Sequence, residues 1–146
     1  METAMQEMGL TGSDAATPKA FSRDVLNIEI SGPERPQLTL VDLPGLIHSE
    51  NKSQSKDDVK VIKAMVEDYI KEKRTIVLAV VSAKNDYANQ IVLEKARDLG
   101  ATDRTLGVIT KPDTLVPGSE NEKNWIDLAQ NKDVYFGLGW HMLRNR

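Results

Sequence analysis

The sequence has no cysteine among its 146 residues, which excludes disulfides and thiolate metal sites and fits a reducing compartment. No apolar run approaches the ~20 residues that a bilayer-crossing helix requires. The N-terminus, Met1 to Leu10, is acidic and mixed, unlike the basic and then apolar start of a secretory signal. An excess of positive charge is also missing. Nineteen Lys and Arg stand against 22 Asp and Glu, a net charge of -3, which argues against a protein built mainly to grip nucleic-acid phosphates. His48 and His141 are isolated and lack ligand spacing, and no internal repeat or low-complexity tract is present. What remains is an ordinary globular composition, 40% hydrophobic and 28% charged, of a length suited to one domain. Cytosol is the expected compartment.

The order of elements follows from periodicity. Met1 to Leu10 suits a short helix, and Thr11 to Lys19 reads as loop. Val25 to Ile30 alternates like a half-buried strand, Ser31 to Pro36 turns the chain, and Leu38 to Val41 is a second strand. So short a connection predicts an antiparallel hairpin. His48 to Lys56 is too hydrophilic to pack. Ser55 with Asp58 resembles a helix start, after which Val59, Ile62, Met65, Val66, Tyr69 and Ile70 recur at helical spacing, ending in Lys71, Lys73 and Arg74. Thr75 to Val81 (TIVLAVV) is almost wholly apolar and β-branched, the pattern of a strand covered on both faces. A helix over Asn89 to Leu99 stops at Gly100, and Leu106 to Ile109 is another apolar strand. Ser119 with Glu122 makes a capping box ahead of Trp125, Ile126, Leu128 and Ala129, and Val134 to Leu138 reads as a last strand. After the hairpin, this alternation argues an α/β fold with a mostly parallel sheet.

Ligands of open α/β sheets sit beyond the carboxyl ends of the strands, and two polar clusters lie there. The first is Val41-Asp42-Leu43-Pro44-Gly45. Asp42 suits Mg²⁺ through water, since that hard ion prefers carboxylate and phosphate oxygens. Gly45 lets a backbone N–H approach a terminal phosphate. Alone, the same residues also make an ordinary turn. The second cluster is Thr110-Lys111-Pro112-Asp113. One carboxylate accepts two hydrogen bonds from guanine, at the ring N1–H and the exocyclic amine, a donor pair that adenine lacks. The stem and ammonium of Lys111 suit the purine face. The bland alternative is a strand-to-loop turn with both charges in water. Two such clusters, each after an apolar strand and two βα units apart, point together to a guanine-nucleotide site.

These residues resemble the third and fourth signature motifs of GTPases, and the pattern is most similar to the dynamin superfamily, in particular its fungal dynamin-related and Mx-like members. The resemblance lies in Leu38 to Leu46 (LTLVDLPGL), in Leu106 to Asp113 (LGVITKPD), and in Leu78 to Ser82 followed by Asp86, Ala88 and Asn89. Small GTPases usually carry Asn where Thr110 stands. Asn145-Arg146, at the end of the chain, is similar to the start of the family's fifth, base-contacting motif. The resemblance implies a cytoplasmic GTPase that can sit peripherally on organelle membranes, binds GTP with Mg²⁺ and hydrolyses it to GDP and phosphate. It belongs to a family that remodels membranes, meets membranes and microtubules, and self-assembles through segments outside this sequence. Asp42 and Gly45 would serve the metal and phosphate end, as the family's switch II. Thr110, Lys111, Asp113 and Asn145 would serve the base. No catalytic residue beyond that switch pair emerges. The position of the family's second acid after Thr-Lys-x-Asp falls near Val116.

No Gly-x-x-x-x-Gly-Lys-Ser/Thr occurs in the sequence, so no phosphate cradle, phosphate-reaching lysine or hydroxyl ligand for Mg²⁺ is supplied by it. Residues 1–146 are therefore expected to be a partial dynamin-type G domain. Residues 1–20 would form an N-terminal helix and loop and 21–146 an α/β core with an antiparallel edge hairpin, the first strand and flanking helices being absent. Parallel crossovers are right-handed in ~98% of cases, so strands added in one direction would carry their helices on one face and leave the other bare. A bare apolar face of that size predicts aggregation or partial melting. The alternative function is a non-enzymatic remnant or interaction fragment without tight nucleotide binding. A flavodoxin-like or receiver-type module is a third reading, against which stands the lack of an acidic pair at an early strand end.

Overall fold

Val59, Ile62, Met65, Val66, Tyr69 and Ile70 lie on one stripe of a helix, and that helix forms as α1, Lys56–Lys71. Ile62, Val66 and Ile70, each four residues apart, are the buried members of the stripe. Residues 24–44, 56–85 and 91–144 are described by this computed structural model. The chain divides into two units, Met1–Val66 and Glu67–Arg146, with α1 running across the dividing line. The expected N-terminal helix, Ser55 at the start of α1, and Asp86 to Gln90 lie outside the described residues.

In the first unit the expected antiparallel hairpin is not formed. Residues 24–44 contain no strand, and the chain turns at Gly32, whose carbonyl accepts from the Arg35 N–H at 3.1 Å. Val25, Ile28, Ile30, Leu38 and Leu40 are all exposed. Without a buried face nothing fixes the register of two short strands, and an isolated pair is marginal in water.

The second unit is built on three parallel strands in the order β1-β2-β3: Val77–Ser82, Thr105–Thr110 and Trp140–Leu143. Helix α2, Ile91–Asp98, connects β1 to β2, and α3, Glu120–Ala129, connects β2 to β3. Both helices end on a left-handed residue in a Schellman arrangement. At α2 this is Gly100 (φ +63°), flanked by bonds from Gly100 N–H to Arg97 C=O and Ala101 N–H to Ala96 C=O. At α3 it is Asn131 (φ 61°), with bonds from Asn131 N–H to Leu128 C=O and Lys132 N–H to Asp127 C=O. The Ser119 cap forms as expected, its hydroxyl accepting from the Glu122 N–H at 3.1 Å. The return bond of the box goes one residue earlier, from the Gly118 N–H to the Glu122 carboxylate at 2.7 Å.

Two sequence expectations are corrected in this sheet. The last strand is Trp140–Leu143, not Val134 to Leu138. The side-chain amide of Asn131 accepts from the Phe136 N–H at 2.8 Å and donates to its C=O at 3.0 Å, and that carbonyl also accepts from the Gly139 N–H at 2.9 Å, so the backbone of residue 136 is committed to a turn and not to a strand ladder. Its ring enters the core instead and stacks on Trp140 with centroids 5.0 Å apart. Second, among the described residues of the second unit, β1 is covered on one face only. Val77, Ala79 and Val81 are buried, while Leu78 and Val80 are 48% and 56% exposed. Leu93 and Ala96 of α2, and Trp125 and Leu128 of α3, share one core with Ala79, Val81, Ile109 and Phe136. Both crossovers thus cover the same face, as strands added in one direction require. On the other face, where Leu78, Val80 and Leu143 are exposed, no helix of the second unit packs among the described residues.

Candidate functional site

The carboxyl ends of the three parallel strands are level with one another. Ser82 pairs with Thr110, and Thr110 with Leu143. The Thr110-Lys111-Pro112-Asp113 segment therefore leaves the central strand of this sheet, the position where open α/β sheets hold ligands. Thr110 is half-buried and anchored on both sides of its backbone. Its hydroxyl donates to the Val81 carbonyl at 3.0 Å, and its own carbonyl accepts from the Ala83 N–H at 2.9 Å. The end of β2 is thereby tied to the end of β1.

Beyond that anchor the chain bends sharply. Lys111 has φ 58° and ψ 42°, a left-handed conformation that costs a side-chain-bearing residue roughly 1–2 kcal/mol. Pro112 disfavours the right-handed helical region for the residue before it. The bend throws the chain into a short 3₁₀ turn, Pro112–Thr114, with Pro112 in the first position that suits its missing N–H. Two bonds from Thr114 close on the Lys111 carbonyl, from its N–H at 3.2 Å and its hydroxyl at 2.8 Å. Lys111 and Asp113 are both exposed, and neither side chain is engaged in a hydrogen bond or ion pair among the described residues. An exposed, unengaged carboxylate on a fixed turn can accept two donors from one planar ligand, and the adjacent lysine stem offers an apolar face beside a positive charge.

Asp42, in the first unit, is exposed in a segment without strand structure. A single carboxylate of this kind suits Mg²⁺ only as one partner among waters and phosphate oxygens, which is how that ion is usually held. No group of three or more potential ligands occurs among the described residues. Gly45 and Asn145 lie outside the described residues, although β3 ends at Leu143, two positions before Asn145. Val116, the position expected for a second acid, is 69% exposed. Thr114 and Ala83 were not legible as part of the loop. A Thr three residues beyond a lysine is a weak signal for a hydroxyl turned back on the backbone.

A parallel α/β sheet with Thr-Lys-Pro-Asp at the carboxyl end of its central strand is the architecture of a GTPase-type G domain. The chain belongs to the dynamin family, whose family profile matches residues 4–112. It is 37% identical over 127 residues to the interferon-induced GTP-binding protein Mx2 of Canis lupus familiaris, covering 86% of this chain and 18% of that protein. It is 41% identical over 133 residues to the interferon-induced GTP-binding protein Mx of Ctenopharyngodon idella, covering 90% and 21%. With the Mx protein of Gallus gallus the identity is 34% over 131 residues, covering 89% and 18%. The chain thus spans about a fifth of the length of these relatives.

Proposed function

We propose that residues 110–113 are the guanine-reading element of a GTPase. Asp113 accepts the guanine N1–H and exocyclic amine, and Lys111 lies along the purine face. The observation that carries this reading is the exposed Asp113 carboxylate, unengaged among the described residues, on a fixed turn at the end of the central parallel strand. Relatives named as GTP-binding proteins, matched over most of this chain, support it. By the same family correspondence, Asp42 holds Mg²⁺ through water and Gly45 admits the terminal phosphate to a backbone N–H. Bound Mg²⁺ would supply charge neutralisation at the phosphates. The reaction is hydrolysis of GTP to GDP and phosphate, in a cytoplasmic protein of a membrane-remodelling, self-assembling family. Membranes and microtubules are its further partners, and Asn145 adds a second contact to the base.

A second reading is favoured by one specific observation, the lack of any Gly-x-x-x-x-Gly-Lys-Ser/Thr in these 146 residues. On that reading the polypeptide by itself is an interaction fragment without tight nucleotide binding, because base contacts alone leave the phosphates unheld. Titration with a fluorescent GTP analogue, with and without Mg²⁺ and in competition with ATP, separates the two. Micromolar, Mg²⁺-dependent, guanine-selective binding removes the second reading. Binding that fails to prefer GTP over ATP removes the first.

A further inference from the structure

We infer that Thr114 is a positioning residue for base selection, an inference that rests on the guanine-reading role of residues 110–113. The loop has two anchors. At its start, the Thr110 hydroxyl is committed to the Val81 carbonyl at 3.0 Å, so Thr110 fixes where the loop leaves the sheet. At its far end, the Thr114 hydroxyl and N–H converge on the Lys111 carbonyl at 2.8 and 3.2 Å. Between them stands Lys111, held left-handed at φ 58° although it carries a side chain.

The residue before a proline can escape into an extended conformation at little cost. Lys111 doing so would continue the line of β2, turn its carbonyl away from Thr114 and unwind the 3₁₀ turn that carries Asp113. The two Thr114 bonds oppose that escape, and the hydroxyl is the one a substitution can remove. Thr114 is itself exposed, so the hydroxyl contributes to the shape of the loop rather than to core packing. The consequence falls on geometry. One carboxylate must meet two guanine donors at once, and bidentate contact fails when the carboxylate pivots. A loosened loop keeps single contacts and loses the paired one.

Inosine nucleotides test this directly, because they keep the ring N1–H and lack the exocyclic amine. The full chain, its Thr114→Ala variant and its Thr114→Ser variant are titrated with GTP and with ITP. The expected result is a GTP-over-ITP preference in the parent chain that falls about fivefold in Thr114→Ala, the value of one ordinary hydrogen bond. Thr114→Ser, which keeps the hydroxyl, restores it. A Thr114→Ala variant that retains the parent's preference overturns the inference while leaving the guanine-reading role intact, as does a loss that serine fails to rescue. A parent chain that binds both nucleotides without preference overturns the guanine-reading role and the inference with it.

Discussion

Gly107 lies directly beneath the indole of Trp140: a β-carbon at position 107 would sit 2.2 Å from Cε3 of that ring. The two residues are register partners in β2 and β3, so the close approach is what lets the third strand join the sheet. The indole has little room to retreat, because its N–H donates to the Val134 carbonyl at 2.9 Å and its ring stacks on Phe136. Gly107→Ala is therefore expected to destabilise the second unit by about 1–3 kcal/mol, the usual cost of overpacking. Urea unfolding followed by tryptophan fluorescence checks this. An unchanged midpoint would show that the ring moves freely, contrary to the packing described.

A second prediction concerns acid. Glu67 of α1 pairs with Lys95 of α2, and more loosely with Lys71 at 3.6 Å. The Lys95 hydrogen bond first, and then its charge, hold the Glu67 carboxyl below the usual carboxylate range. A carboxylate depressed by folding contributes stability that is in place above the ordinary glutamate pKa of about 4.3 and is lost as pH falls through the folded value. The parent chain should lose denaturant resistance in that acid window more steeply than Glu67→Gln, and the two curves should run parallel near neutrality. Parallel curves throughout would mean the pair adds nothing.

The open sheet face gives the third. Leu78 at 48% and Val80 at 56% exposure share a sheet face with Leu143 at 42%, across the intervening strand β2, an apolar surface of the kind that drives association. The isolated chain is expected to bind a hydrophobic dye such as ANS and to scatter light as concentration rises. The paired change Leu78→Thr and Val80→Thr should reduce both signals without lowering the unfolding midpoint, since neither side chain is in the core. Cooperative unfolding of a soluble parent monomer that binds no dye would contradict this.

The sequence was most legible where local chemistry decides the outcome. Ile62, Val66 and Ile70 announce α1, Gly100 announces the end of α2, and Ser119 announces the start of α3. Legibility failed where tertiary relations decide. The two-sided apolar pattern of TIVLAVV implies two covers, yet the crossovers place both connecting helices on one face. Val134 to Leu138 has strand composition, but the Asn131 side chain, five residues from Phe136, takes the backbone groups a ladder would use. Leu38 to Val41 reads as a strand and pairs with no other segment among the described residues. In the site, the motif itself pointed to Lys111 and Asp113. The left-handed bend at Lys111 is closed by a bond from a threonine hydroxyl outside the motif, which residue type alone does not reveal.

The most direct measurement is nucleotide selectivity of Asp113→Asn. Asparagine keeps one acceptor for the ring N1–H but presents an amine where guanine also presents one, whereas xanthine places a carbonyl there. The account predicts that the variant loses affinity for GTP by about tenfold or more, the value of a hydrogen bond to a charged group, and gains affinity for xanthosine triphosphate. GTP binding that survives the substitution unchanged, with no gain for the xanthine nucleotide, would contradict it.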